Sequence, residues 1–165
     1  MYEFKHSILI AAPPQRVLAA FFDPVALACW WEAARSVTTP RPLGVYAVEW
    51  EPSPVSDDVL GPLGGVFHGT VIEFSVGRSF FVGDAYWLPP IGDAIGPMAL
   101  DVSCGIDAPG TKLQVRQSGY EESDRWSRYY AVVGRGWQRS MGLLKRYVEQ
   151  GPEAVAAARA EEERT

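Results

Sequence analysis

Residues 126–148, WSRYYAVVGRGWQRSMGLLKRYV, decide how the rest of the chain must fold. At about 100° per residue, the rotation of an α-helix, two stripes separate. Trp126, Tyr130, Val133, Trp137, Met141, Leu144 and Val148 share one side, and Arg128, Arg135, Arg139 and Arg146 share the other. At roughly 1.5 Å per residue such a helix is on the order of 35 Å long, enough to cross a small domain. Ser123-Asp124 offers a capping oxygen at its start and Gly151-Pro152 supplies a stop. The second half of the apolar stripe has the residues of an ordinary core. The first half carries large aromatics beside Gly134 and Gly136, each of which costs a helix about 1 kcal/mol. Bulk next to gaps suits the wall of a cavity as well as a filled interior. The arginine stripe is expected to be a solvated face.

A helix with one greasy side needs something concave to lie against, and the preceding residues supply it. Residues 2–10 alternate like a strand. Two short helices follow, one over 15–22 after Pro13-Pro14 and one from Asp23-Pro24 to Trp30-Trp31. Neighbours on a helix face different ways, so one of these two tryptophans packs inside and the other sits at a rim. Strands are then expected at 35–39, 45–51, 65–74, 78–88, 98–106 and 111–119. The Pro/Gly/Asp-rich stretch 52–64 is expected to be an exposed loop. Consecutive strands with short connections make an antiparallel sheet, and its covered face needs the long helix as a lid. The expected class is α+β in a helix-grip arrangement: a curved, seven-stranded antiparallel sheet wrapped around the C-terminal helix, with two short helices after the first strand. Residues 1–150 form this single domain, and 151–165 are a charged tail with little to bury.

Composition excludes several functions. The chain has 165 residues, enough for one substantial core, and a net charge of −5 that gives no electrostatic footprint for nucleic acid. No apolar run is long enough to cross a membrane. MYEFKHSILI at the start has no cleavage site, so a cytoplasmic protein with Cys29 and Cys104 as reduced thiols is expected. His6 and His68 lack further ligands at workable spacing. There is no G-x-S-x-G elbow, Walker loop or dinucleotide fingerprint. Hence no metal, no cofactor and no catalytic residue is assigned.

Several pieces, in order, resemble one family. They are Ile8-Leu9-Ile10-Ala11-Ala12-Pro13, then Asp23-Pro24…Leu27…Trp30-Trp31, Arg41-Pro42…Gly44…Tyr46, Gly69-Thr70-Val71-Ile72-Glu73, Gly110-Thr111-Lys112-Leu113, Ser118-Gly119-Tyr120 and Gly136-Trp137. Together they resemble the SRPBCC superfamily (START, birch-allergen and polyketide-cyclase proteins). The nearer likeness is to its AHSA-type branch, similar to activators of a heat-shock-protein ATPase. The resemblance implies a helix-grip fold, often with a cavity for apolar or amphipathic small molecules. It departs at 52–64, at Pro89-Pro90 and in the tail.

Three functions follow as expectations. The first is binding of a small, largely hydrophobic ligand between sheet and helix. Trp30, Phe67, Phe81, Trp87, Tyr130, Val133 and Trp137 would line the site, and His68 or Tyr120 would be its polar anchor. The second is a cyclase- or hydrolase-type enzyme using a pocket carboxylate or histidine; the polar groups expected to face the cavity are His68, Glu49, Glu73, Asp84 and the non-titrating Gln117. The third, by resemblance, is an interaction module that meets a chaperone ATPase; a well-packed homodimer face would favour this third reading. Both faces of the middle strands carry apolar residues, so periodicity leaves open which face lines the cavity.

Overall fold

The computed structural model describes residues 2–119 and 121–165. Strand β1 (Tyr2–Ile10) is followed by helices α1 (Pro14–Ala19) and α2 (Pro24–Trp30), then by β2 (Arg35–Thr38) and β3 (Val45–Trp50). A small ribbon, β4 (Ser56–Asp57) with β5 (Gly61–Pro62), precedes the long strands β6 (Gly65–Ser75), β7 (Ser79–Leu88), β8 (Ile95–Asp107) and β9 (Gly110–Gly119). Helices α3 (Asp124–Gln150) and α4 (Pro152–Arg164) end the chain. Seven strands make one antiparallel sheet in the order β1-β9-β8-β7-β6-β3-β2. Strand β1 thus lies beside the last strand, Ile8 opposite Leu113. Helices α1 and α2 carry the chain to the other edge. This is the α+β helix-grip fold that the order of elements implies.

Helix α3 begins where Ser123 accepts a hydrogen bond from the Trp126 amide at 3.2 Å, satisfying one of the free N–H groups of the first turn. It ends at Gly151, whose φ of 94° few side chains tolerate. Its apolar stripe faces the sheet, with Trp126, Trp137, Met141, Leu144 and Val148 buried. A Cβ at Gly134 would meet the Phe4 ring at 3.1 Å, so the glycine lets β1 approach the helix closely. No helix among the described residues is long and apolar enough to cross a membrane.

Beside this helix the interior holds an aromatic cluster around Phe22 and Phe80. Phe22 meets Phe80 at 4.8 Å, Tyr46 at 5.4 Å and Phe74 at 5.5 Å, all edge-on. The Tyr46 hydroxyl, fully buried, donates to the Phe21 carbonyl at 2.9 Å.

Three local expectations need correction. The stretch 52–64 is not simply exposed: it folds as the β4–β5 ribbon and turns Leu60, 3% exposed, into the core. Nor is the arginine stripe uniformly solvated. Arg128 reaches Asp57 at 2.5 Å, while Arg139 reaches Glu32 at 3.0 Å and Glu162 at 2.9 Å. Finally, the tail is helix α4, which buries Val155 completely and brings Arg159 Nε within 2.9 Å of Glu32. Periodicity along one helix does not reveal partners that lie 71 and 107 residues away.

Candidate functional site

Alternation along the strands sets which side chains meet the helix. On β6, Phe67, Gly69 and Val71 point inward and His68 and Ile72 outward. On β7, Phe80 and Val82 point inward, but the register shifts between Val82 and Ala85. There Asp84 takes a φ of 49°, and an extra residue of this kind reverses the phase of the pleat. Beyond it Ala85 and Trp87 are the inward residues. On β9 the buried series Leu113, Val115 runs on to Gln117, which is 2% exposed.

These elements enclose a cavity of about 370 Å³ between the first half of α3 and the sheet. Four of the six tryptophans wall it: Trp31 at the end of α2, Trp50 at the end of β3, Trp87 on β7 and Trp137 on α3. Phe67, Leu60, Leu63, Tyr129 and Val133 complete the apolar surface. From Tyr129 to Ser140 the helical wall runs about 16 Å, at roughly 1.5 Å per residue.

Three of the four indoles are tied by their N–H groups. Trp50 Nε1 donates to the Trp31 carbonyl at 2.8 Å, and Trp87 Nε1 to the Gly64 carbonyl at 2.7 Å. Trp137 Nε1 donates to Gln117 Oε1 at 2.8 Å, and Gln117 Nε2 donates in turn to the Tyr129 hydroxyl at 2.9 Å. Burial raises the Tyr129 phenol above its ordinary pKa, only partly offset by the Gln117 hydrogen bond, so the hydroxyl keeps its proton. Polar groups inside are Gln117, Tyr129 and Ser140, while the exposed Glu32, Glu51 and Arg139 mark the mouth. Glu32 is held there by Arg139 and Arg159.

The β4–β5 ribbon closes one side of the cavity with Leu60 and Leu63. It is pinned through Asp57, which takes Arg128 on one oxygen and the Val59 and Leu60 amides, each at 3.0 Å, on the other. Arg128, first, and then the Leu60 and Val59 amides hold the Asp57 carboxyl well below the usual carboxylate range.

Of the residues singled out from sequence, Phe67, Trp87, Val133 and Trp137 line this cavity together. The others are placed differently. Trp30 is fully buried behind the wall, stacked on Trp31 at 4.9 Å, with Nε1 donating to the Ala20 carbonyl at 2.9 Å. One step of about 100° along α2 makes Trp31, not Trp30, the wall. Tyr130 is turned away toward Trp126, its hydroxyl 3.6 Å from Met98 Sδ. His68 is exposed on the opposite face of β6, which removes it as an anchor, and Phe81 lies on the outer face because the β7 register shifts after Val82. Tyr120 lies outside the described residues. Of the polar groups expected to face a cavity, Glu49 is paired with Arg35 at 2.6 Å, Glu73 and Asp84 are exposed, and Gln117, a carboxamide that does not titrate, lines the cavity. Trp50, Leu60 and Leu63 are wall residues that the sequence does not single out, and Trp31 is the rim member of the pair expected to divide between interior and rim. The continued alternation of β9 was the signal that points Gln117 inward.

No protein-family model and no curated protein matches the chain. Solved structures do. A protein of Chromobacterium violaceum is 24% identical with a TM-score of 0.65, the match covering 89% of this chain and 96% of that one. The Aha1 dimer from Colwellia psychrerythraea, determined in solution, is 15% identical with a TM-score of 0.65, covering 92% and 98%. DynU16, encoded in the dynemicin biosynthetic locus, is 20% identical with a TM-score of 0.62 over 92% of this chain and 49% of its own. The seven-stranded grip on α3 and these likenesses together show that the chain has the fold of the AHSA-type SRPBCC proteins.

Proposed function

We propose that this protein binds one small, largely apolar molecule in the cavity between α3 and the sheet. The observation that carries the reading is a space of about 370 Å³ walled by four indoles, within the range of about 300–1,000 Å³ usual for small-molecule sites. Apolar walls with a few placed polar groups favour a guest that leaves water chiefly through the hydrophobic effect. Trp50, Trp87 and Trp137 are tied by their N–H groups, and Trp31 packs against Trp50 and Trp137 at centroid distances of 5.2 and 4.8 Å, so each ring has a fixed place in the wall.

Because Trp31, Trp50, Trp87 and Trp137 all border the site, its occupancy is readable in tryptophan emission. An environment-sensitive apolar dye, 1-anilinonaphthalene-8-sulfonate, is expected to bind at one site per chain and to receive energy from the indoles. Mass spectrometry of small molecules released from gently purified protein then identifies the natural guest. Val133→Phe puts a ring into the space and is expected to abolish dye binding while the circular dichroism of the fold is retained. Binding that survives this filling, or that never saturates at one site, would overturn the reading.

A further inference from the structure

The cavity has a direction, and it comes from one glutamine. An indole N–H can only donate, so Trp137 fixes the Gln117 amide with its oxygen toward the ring. The amide nitrogen then faces the Tyr129 hydroxyl at 2.9 Å and Met98 Sδ at 3.3 Å, which uses both of its hydrogens. Tyr129 is therefore the acceptor in its bond with Gln117. Its own hydrogen cannot turn back to that nitrogen, which has no lone pair to offer, and it has no acceptor among the described residues. The ring is held by stacking on Trp87 at 5.3 Å, and Trp87 is itself tied to Gly64. A rigid donor is left in a lining that is otherwise apolar apart from Gln117 and Ser140.

We propose that the bound molecule is a neutral, largely apolar compound bearing a carbonyl oxygen, which accepts a hydrogen bond from Tyr129. Gln117 and Trp137 act as positioning residues for that donor. This rests on the cavity reading above and narrows it to a chemical class. A hydrocarbon guest would leave the buried O–H without a partner. A carboxylate would lose its hydration with no free cation among the described residues of the lining to meet it, since Arg139 at the mouth is already paired with Glu32 and Glu162.

Two probes of nearly one shape test this on the intact protein: 9-fluorenone, a planar ketone, and fluorene, the corresponding hydrocarbon. The infrared carbonyl stretch of bound fluorenone is expected below its value in a hydrocarbon solvent, and to return toward that value in Tyr129→Phe. The same variant is expected to weaken fluorenone roughly fivefold to tenfold, as loss of one hydrogen bond does, and to leave fluorene unchanged. An unshifted stretch in the unmodified protein, which needs no variant, overturns the proposal. So does an equal loss of both probes in Tyr129→Phe; in either case the apolar-cavity reading stands. Failure of both probes to bind the unmodified protein overturns the two readings together.

Discussion

Two aromatic clusters stand out in this protein, and their rings are held in different ways. Around Phe80, which is 1% exposed, the rings of Phe21, Phe22 and Tyr46 close to centroid distances of 4.8–5.6 Å, and open space of about 340 Å³ is met only on the outer side of Phe22 and Phe74. Around the cavity, the indoles of Trp50, Trp87 and Trp137 are each fixed by an N–H bond to a group on another element. A phenyl ring has no polar tether, so it slides until dispersion contacts are complete. An indole must keep its hydrogen bond when buried, so its position is dictated by the tether and space can remain beside it. Tethering alone does not open a pocket, since Tyr46 and Trp30 are also tied by hydrogen bonds and are fully buried; beside the cavity three tied indoles stand on three different elements.

The sharpest way to break this comparison is to remove one ring from each cluster. Phe80→Ala, at a ring only 1% exposed, is expected to cost about 3–5 kcal/mol in urea unfolding. Trp31→Ala should cost clearly less, because its ring is half-buried and already borders open space. Equal losses would mean that the second region is packed as tightly as the first. A smaller effect distinguishes two glycines of α3. A Cβ at Gly136 meets nothing within 4 Å, so Gly136→Ala is expected to stabilise by about 1 kcal/mol through helix propensity. At Gly134 the same methyl meets the Phe4 ring at 3.1 Å, and Gly134→Ala should gain nothing.

The smallest effect is local and concerns pH. The Asp57 carboxyl is held well below its ordinary range, so the pin on the β4–β5 ribbon is complete above about pH 4, near the unfolded value. It weakens only as the pH falls from there toward the lower folded value. Hydrogen exchange at Val59 and Leu60, corrected for intrinsic rates, should be flat from pH 5 to 8 and faster in acid. In Asp57→Asn it should be fast throughout. Exchange that accelerates between pH 6 and 7 would assign the closure to a different group.

Most of the frame is legible in the sequence, because it rests on periodicities. The stripe from Trp126 to Val148 and the alternation of Leu113, Val115 and Gln117 are local patterns, and both survive in the fold. The site is less legible because it depends on phase and on distant partners. Phe81 and Trp87 are both odd-numbered on β7, yet the shift near Asp84 puts them on opposite faces. His68 and Phe67 cannot be told apart where both faces of β6 are partly apolar. Leu60 is hidden within a stretch of proline, glycine and aspartate, and only its tie through Asp57 to Arg128, 71 residues on, makes it a wall. Ile95, which opens β8 and pairs with Trp87, is likewise masked by the adjacent Gly96-Pro97.

One detail at the rim reaches further than its size suggests. Trp31 and Glu32 are consecutive: the first is a panel of the chamber, and the second is the carboxylate that joins Arg139 of α3 to Arg159 of α4. A bulky guest that pushes the panel outward must stretch both guanidinium links at once. The final helix is thereby tied to the rim of the chamber, although it contributes no side chain to the room behind it.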